Sequence, residues 1–422
     1  MVCCVKQAAS GESPADRGPA RKIVTTKRQK QVEDDKKKLT EHFITKLPQL
    51  LKKYRADPDK TSNLLYAGLI EDNQSPDADE IFDVVHWLKK VSIYYSLHDM
   101  NSYEIWDSLF KNLEEARLSS ERLPDEALVF CIRACHFSIL WNQNSLLDAD
   151  PSDARLESDT RRLVERLHLF LDVMICLVGV DENETDVSSS AIIREEAYIS
   201  ICDCLVFFNK PTTNDSNPVL TKLSYQPDDR VQTTLNRFVQ ENVFSGKPND
   251  ERDVEGEIER LHKLRNFLAG WCKVVVHTTM PLSAAADVFK HYVKYYNDYG
   301  DIIKTTIGKA RDNNRVHCAR TMQLSLSILY NEMRERRIEV NRWSEEFAAI
   351  KELAKRFALS FGFDAVKNSE ALLALHGDGI LFAITPPGDA EHDPATPPAN
   401  LPFLEILAEF SYKLGDTDKR TV

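Results

Sequence analysis

Apolar residues recur along most of this chain at the spacing of one face of an α-helix. The clearest example lies in residues 284–311, AAADVFKHYVKYYNDYGDIIKTTIGKAR. Steps of four and three residues there trace a continuous apolar seam: Ala285, Phe289, Tyr292, Tyr296, Tyr299, Ile303 and Ile307. Such a seam predicts one helix near 282–308 that packs by this side and exposes the other, which carries charged residues and Tyr295.

The same period predicts a series of further helices, separated by clusters of Pro, Asn and Asp that are typical of turns. They are expected near 104–116, 124–142, 158–180, 191–208, 229–244, 253–277, 313–337, 344–361, 367–383 and 400–414. Helix pairs of about 35–45 residues in series, without a strand pattern, are typical of stacked HEAT-type repeats. We therefore predict an all-α fold, a HEAT-like α-solenoid of stacked antiparallel helix pairs. An ordinary globular helical domain is the alternative from pattern alone.

Segments outside this pattern define the expected domain organisation. Residues 1–38 start with a short apolar stretch and continue through Ser, Gly, Pro and many charged residues, which predicts a helix remnant and a basic flexible linker. Residues 39–422 are expected to form the helical-repeat domain. Two pairs of prolines, at 386–387 and 397–398, predict a surface loop over 385–399.

Composition and cysteine content favour an intracellular, soluble protein. Hydrophobic residues make up 42% of the 422 residues and charged residues 28%, as in a folded rather than a disordered chain. The nine cysteines mostly sit in apolar helical stretches, and their odd number argues against a disulfide framework. No apolar stretch reaches the roughly 18 residues of a membrane span, and no secretory signal is predicted.

Charge is distributed unevenly, although the formal net charge is −12. Residues 1–60 hold 15 Lys and Arg against 8 Asp and Glu, so this region is basic and the remainder is strongly acidic. A mobile cationic segment neutralises DNA phosphates without reading bases. The candidate DNA-binding residues are Arg21, Lys22, Lys27, Arg28, Lys30, Lys36, Lys37 and Lys38. The alternatives are a nuclear-import signal and a solvated linker, because Glu33, Asp34 and Asp35 interrupt the basic run.

Motifs for catalysis or cofactor binding are missing from the sequence, which has no GxxxxGK[ST], HExxH or GxSxG and no GxGxxG between a strand and a helix. The HGDG sequence at 376–379 is interpreted as a helix-ending turn, because no strand precedes it as a phosphate loop requires. Cys131, Cys135 and His136 lack a second ligand pair at zinc spacing, so core packing is favoured. We predict no catalytic residue, no metal and no cofactor, and a protein that is not an enzyme.

Several long ungapped strings resemble the stromalin (STAG) family, the helical-repeat subunit of cohesin. They are residues 284–311 quoted above, LHKLRNFLAGWCKVVV (261–276), IKELAKRFALSFGFDAVK (350–367), LLALHGDGILFA (372–383) and LPFLEILAEFSYKL (401–414). The resemblance implies a nuclear, chromatin-associated scaffold that acts in sister chromatid cohesion and chromosome segregation. It also implies the cohesin kleisin subunit as partner and, through it, the SMC heterodimer. DNA would be bound without sequence specificity, and no membrane or small-molecule substrate is implied.

The resemblance places kleisin binding along the C-terminal half, where aligned outer faces of consecutive repeats form an extended peptide-binding groove. Within IKELAKRFALSF (350–361), the core seam is expected to leave Lys351, Lys355 and part of Arg356 outside. The candidate kleisin-binding residues are Asp287, Lys294, Tyr295, Asp298, Asp301, Lys351, Lys355 and Arg356. A generic solvated face is the alternative for each of them.

The resemblance covers the middle and C-terminal half of a stromalin, without the family's N-terminal domain. The chain also passes from SNLLY (62–66) almost directly to DEIFDVVHWLKKVSIYYSLHDM (79–100), where the family has several more helices. A deletion junction is therefore expected near 66–79, as in a truncated isoform, a divergent paralogue or an incomplete gene model. The alternative function is that of a truncated regulatory decoy, which competes with the full-length subunit for the kleisin.

Overall fold

The computed structural model describes most residues between 85 and 421. The gaps are 86–87, 90, 94, 98, 102–104, 119–122, 151, 180–189, 210–219, 246–253, 278, 337–340, 363 and 386–396. The predictions for the linker 1–38, its basic residues and the junction near 66–79 lie outside the described residues, as does most of the loop 385–399.

Every regular element in the described part of the chain is helical, in agreement with the all-α prediction. The α-helices are α1 (Trp106–Leu118), α2 (Asp125–Leu147), α3 (Leu156–Val178), α4 (Ala191–Phe207), α5 (Asp229–Asn242), α6 (Val254–Val276), α7 (Ala286–Phe289), α8 (Tyr296–Asn313), α9 (Arg315–Glu335), α10 (Glu345–Ser360), α11 (Ala365–Ile384), α12 (Phe403–Leu407) and α13 (Asp418–Thr421). Short 3-10 helices lie at Leu220–Leu223, Leu282–Ala285 and Ala408–Lys413.

Side-chain caps define where four of these helices begin. Asp228, Asn314, Ser344 and Asp364 each accept a hydrogen bond from the backbone N–H three residues further on, at 2.9–3.1 Å. Such a bond satisfies one of the N–H groups that the first helical turn leaves without a partner, and is worth about 1 kcal/mol. Each of these four helices therefore begins at a residue whose own side chain satisfies part of the first turn.

The described residues fall into two compact units: those between 85 and 142 together with 190–193 form the first, and those between 143 and 179 together with those between 194 and 421 form the second. In the first unit, buried apolar residues of α1 and the start of α2 form a core that includes Leu109, Leu113 and Ile132. Trp141, nearer the C-terminal end of α2, is joined to this unit by a hydrogen bond: its indole N–H donates to the carbonyl of Tyr95 at 2.7 Å. Trp141 thus combines an apolar ring that is partly buried with a satisfied polar group.

Helix α9 is the central element of the second unit and packs against α8, α10 and α11. Cys318, Met322, Leu326 and Tyr330 follow one another at one-turn spacing on α9, and each is fully buried. Earlier in this unit, α6 packs against α5 and α8. Serial packing of neighbouring helices around apolar seams is the arrangement predicted for HEAT-type repeats.

The prediction of one continuous helix over 282–308 is wrong. Residues 290–295 form a turn between α7 and α8, in which some N–H groups bond three residues back (His291 to Val288, 3.1 Å) and others four (Tyr295 to His291, 3.0 Å). Bonds to the third residue wind the backbone more tightly than an α-helix, so the apolar seam changes direction. As a result Tyr296, predicted to be in the core, is 45% exposed.

The interpretation of HGDG at 376–379 as a helix-ending turn is also wrong, because α11 continues to Ile384. Gly379 is required there by close packing: a Cβ atom at this position would lie 2.5 Å from Cδ2 of Leu407 on α12. The predicted helix near 400–414 is present in part, since α12 passes into the 3-10 helix Ala408–Lys413.

The described cysteines agree with the prediction of free, mostly buried thiols. Cys131, Cys135, Cys202, Cys204, Cys272 and Cys318 are buried, and Cys176 is partly buried. Burial raises the pKa of Cys272 to about 12, so its thiol stays protonated and unreactive. Among the helices that the structure describes, none combines the length and the apolar content that crossing a bilayer requires.

Candidate functional site

The predicted kleisin-binding residues all lie in the second unit, on α7, the turn 290–295, α8 and α10. Lys294, Asp301 and Lys355 are exposed. The remaining candidates are partly buried: Asp287, Tyr295, Asp298, Lys351 and Arg356. These two groups differ in what their side chains contact.

A contact between Arg356 and Tyr296 joins the two stretches of sequence that the prediction placed together. The Arg356 guanidinium carbon lies 4.2 Å from the centre of the Tyr296 ring and 5.9 Å from that of Tyr292. Glu352 orients the guanidinium, since its Oε1 accepts from Arg356 Nε at 3.1 Å. A cation over an aromatic face contributes about 0.5–1 kcal/mol at a partly exposed site. Tyr296 was missed as a candidate because the seam assigned it to the core.

Arg265 of α6 organises the acidic part of this region. Its guanidinium forms an ion pair with Asp301 Oδ2 at 2.6 Å and also donates to the backbone carbonyl of Asp298. The hydrogen bond from Arg265 holds the pKa of Asp301 below its usual value. Asp301 is therefore charged and oriented, but its side chain remains 67% exposed and can meet a partner.

Asp287 belongs to a polar network inside the unit. Its carboxylate accepts from Asn236 Nδ2 at 2.9 Å and from Lys290 Nζ at 3.1 Å, and Lys290 also bonds Glu332 at 2.9 Å. Burial opposes the charge on Lys290, but the hydrogen bonds to Glu332 and Asp287 outweigh it and raise the pKa of this lysine. The network links α5, α7 and α9, and within it the Asp287 carboxylate is already bonded to Asn236 and Lys290.

Tyr295 is likewise held by the protein. Its hydroxyl donates to the carbonyl of Phe244 at 2.7 Å. His291 stacks on the Phe244 ring with centroids 4.0 Å apart, and its Nε2 lies 3.0 Å from Gln240 Oε1. Burial, followed by the charges of Lys290 and Lys294, lowers the pKa of His291 to about 3, so the ring is neutral. This cluster fixes the turn 290–295 against the end of α5.

The lysine candidates divide in the same way. Lys351 pairs with Glu409 at 3.5 Å. Lys294 lies 5.1 Å from the Tyr295 ring centre, and no ion pair of Lys294 or Lys355 occurs with the residues that the structure describes. We call five residues the Tyr296 face: Lys294, Tyr296, Asp301 and Lys355, which are exposed, and Arg356, which is partly buried and contacts Tyr296.

The Tyr296 face offers cations, a carboxylate and an aromatic ring, which are groups that bind a polypeptide of mixed charge. It offers no nucleophile paired with a base. No group of three metal-ligating side chains occurs within the described ranges. This arrangement of charges and an aromatic ring is suited to binding.

Comparison with known families identifies two matching domains. Residues 1–68 and 66–141 match the model of the cohesin subunit SCC3/SA HEAT-repeats domain. Residues 315–422 match the STAG protein C-terminal domain. The region between them, which includes α7 and α8, lies outside both family models.

Individual relatives cover that region too. The chain is 33% identical over 513 residues to cohesin subunit SA-1 of Xenopus laevis, covering 100% of this chain and 39% of the relative. It is 30% identical over 505 residues to human cohesin subunit SA-3, with 100% and 40% covered. With cohesin subunit scc-3 of Caenorhabditis elegans it is 26% identical over 503 residues, with 100% and 44% covered. The chain thus spans about two fifths of the length of the curated relatives it matches.

Fold and site together define a helical-repeat protein whose described surface is suited to binding other macromolecules. The two ends of the chain match the HEAT-repeat and C-terminal domain models, and individual relatives align along all of it. These matches identify the family. The chain belongs to the SCC3/SA family, the stromalins.

Proposed function

We propose that this chain is a non-enzymatic scaffold subunit of cohesin, which binds the kleisin subunit and, through it, the SMC heterodimer. In this role it assists the association of cohesin with DNA and chromatin in the nucleus during sister chromatid cohesion. Membership of the SCC3/SA family supports the proposal, since the curated relatives are named cohesin subunits. The observation that carries the kleisin site is the exposed Tyr296 face, positioned by a packed core beneath it.

Some of the candidates are better suited than others to contact a kleisin. Asp287, Tyr295 and Lys351 already bond to Asn236, Phe244 and Glu409 respectively, so a partner would have to replace those contacts. Lys294 and Lys355 carry exposed charges that a partner can pair without such a loss. Complementary charges at an interface set orientation and association rate, and opposing charges there are costly.

Charge reversal at Lys355 tests this site in the complete chain. We expect Lys355→Glu to weaken binding of a purified kleisin subunit by about tenfold, which corresponds to about 1.4 kcal/mol. Lys304→Glu is the matched control, because Lys304 is an exposed lysine of α8 outside the Tyr296 face. The measurement is fluorescence anisotropy with a labelled kleisin. Equal affinities for both variants would move the site elsewhere on the chain, and no binding by the unmodified chain would refute the kleisin proposal.

A regulatory decoy is the second candidate function, and one comparison favours it. The alignment with SA-1 runs over 513 residues although the chain has 422, so the relative contains stretches that this chain lacks. The two HEAT-domain matches also meet at residues 66–68, next to the expected deletion junction. A decoy would bind the kleisin and displace a complete family subunit, whereas a scaffold would increase the amount of kleisin retained on DNA. Adding the chain to a reconstituted complex and measuring retained kleisin distinguishes them.

A further inference from the structure

A cleft of about 500 Å³ lies in the second unit, away from the residues of the Tyr296 face. It is formed where the junction of α8 and α9 meets the first turns of α11. Residues 311–317 line one side, and Lys367, Glu370 and Ala371 line the other. Nothing in the proposed kleisin or DNA binding uses this cleft.

Two cations from different helices line the cleft without a described partner. Arg315 begins α9 and Lys367 lies in the first turn of α11, and neither side chain forms an ion pair or hydrogen bond within the described residues. Arg311 is held differently, since it donates to the carbonyl of Ser360 and lies 3.5 Å from Asp312 Oδ1. Because Arg311 offsets Asp312, Arg315 and Lys367 are the charges left to attract a ligand, against the carboxylates of Glu370 and of Asp364, which caps α11.

The backbone adds to this positive potential. Helices α9 and α11 both begin at the cleft, and their caps Asn314 and Asp364 each satisfy one N–H group, those of His317 and Lys367. The N–H groups ahead of these in each first turn have no partner within their helix, and the aligned peptide dipoles place partial positive charge there. Two helix starts and two unpaired side-chain cations therefore converge on one recess.

We propose that this cleft binds the phosphate group of a phosphorylated serine or threonine in a partner polypeptide. A phosphomonoester carries close to two negative charges and several acceptor oxygens, which match two cations together with backbone donors. The space is sufficient for one modified side chain and its neighbours. Glu370 also lines the cleft, and its carboxylate disfavours the extended polyanion of duplex DNA.

Binding of defined peptide mixtures to the full chain tests the proposal. The probe is a fluorescein-labelled heptapeptide mixture with phosphoserine at the centre and the other positions randomised, compared with the same mixture carrying serine. We expect the phosphorylated mixture to bind, and inorganic phosphate to compete with it. The double variant Arg315→Gln/Lys367→Gln should weaken binding by about tenfold or more, since each removes a charge-assisted hydrogen bond.

The matched control is Arg117→Gln/Lys304→Gln, which removes the same charge from exposed positions outside the cleft and should bind as the unmodified chain does. Glu370→Gln provides a second variant that removes repulsion, and should tighten binding a few-fold. Equal binding by the cleft and control variants would overturn the proposal, as would unchanged or weaker binding by Glu370→Gln. The cleft would instead be a nucleic-acid site if the chain bound duplex DNA but not the phosphorylated mixture, and if the double variant of Arg315 and Lys367 lost the DNA binding.

Discussion

Lys290 and His291 are adjacent in the sequence, and burial disfavours the charged form of both, but only Lys290 keeps its charge. Lys290 keeps its charge because Asp287 and Glu332 accept from its ammonium group. His291 has no carboxylate partner among the described residues and instead stacks on Phe244 as a neutral ring. Both side chains hold the turn 290–295 in place, and the position of Tyr296 follows from that turn.

Replacing Lys290 tests the network around Asp287. We expect Lys290→Met to lower the free energy of unfolding by about 1–2 kcal/mol, because two partly buried carboxylates lose their shared cation; their partial exposure keeps the cost below that of a fully buried pair. Lys294→Met is the matched control, as Lys294 is exposed, and should change stability by less than about 0.5 kcal/mol. Urea unfolding followed by circular dichroism measures both. Equal effects of the two variants would show that the network does not stabilise the turn.

The pKa of His291 predicts loss of stability in mild acid. The folded protein keeps this ring neutral down to about pH 3, whereas the ring of the unfolded chain is protonated below about pH 6.5. The unfolded state therefore binds more protons between these values, and stability present above pH 6.5 falls as the pH falls. Between pH 7 and pH 5 the loss is about 2 kcal/mol.

The measurement compares urea unfolding at pH 7 and pH 5. His291→Phe keeps the stacking on Phe244 without a titrating group, so we expect its stability to vary less with pH over this range than that of the unmodified chain. His262→Gln, at an exposed histidine, is the control and should retain the full pH dependence. An unchanged pH dependence in His291→Phe would contradict the assigned pKa.

Among the helices, the close packing of α11 against α12 depends on Gly379, which has no side chain. We expect Gly379→Ala to destabilise the protein by about 1–3 kcal/mol, because its methyl group would overlap Leu407. Gly377→Ala is a control on the same helix, where no atom lies within 4 Å, and it should stabilise α11 by up to about 1 kcal/mol.

Chemical denaturation distinguishes these two glycines. Adding Leu407→Ala to Gly379→Ala should cost less than the sum of the single changes, since both act on one contact. Two results would show that α11 and α12 do not pack as described. One is a double variant whose change in unfolding free energy equals the sum of the single changes, and the other is a change of the same sign for both glycine variants.

Helix positions could be predicted from the sequence to within a few residues, because apolar periodicity and capping residues act locally. The predicted helix 191–208 corresponds to α4, Ala191–Phe207, and the predicted 344–361 to α10, Glu345–Ser360. The break at 290–295 could not be predicted in this way. It accompanies contacts of Tyr295 and His291 with residues about fifty positions earlier, and local periodicity carries no information about such partners.

The same limit applies to the candidate site. Exposure of Lys294, Asp301 and Lys355 could be predicted from their place off the apolar seam. The contacts of these residues could not be predicted, because they depend on how helices distant in sequence pack together. Examples are the hydrogen bond between Asn236 and Asp287 and the ion pair between Arg265 and Asp301. Local sequence gave no sign that Tyr296 is exposed, because residues 290–295 contain neither Gly nor Pro to interrupt the helical period.

At the scale of the whole molecule, charge distribution predicts how the chain meets DNA. The basic residues that precede the described part of the chain are expected to supply most of the affinity, since the remainder is acidic. Engaging about four phosphates implies a log–log dependence on salt with a slope near −3.6. Replacing Arg21, Lys22, Lys27, Arg28 and Lys30 by Gln should flatten this slope and weaken binding to all sequences about equally.

Fluorescence anisotropy with duplex DNA between about 50 and about 200 mM salt, the range over which such contacts fade, measures the slope. Neutralising Glu33, Asp34 and Asp35 should tighten binding slightly, because these carboxylates oppose the phosphates. An unchanged affinity in the five-residue variant would leave the segment as a linker or import signal.

Photo-crosslinking from Tyr296 tests the central claim, kleisin binding on the Tyr296 face, most directly. Tyr296 and Tyr412 are both exposed, at 45% and 61%, and either can be replaced by benzoylphenylalanine in the complete chain. With a purified kleisin subunit, we expect a crosslink from position 296 that Lys355→Glu reduces, and little or none from position 412. Equal crosslinking from both positions, or crosslinking from 412 alone, would contradict it.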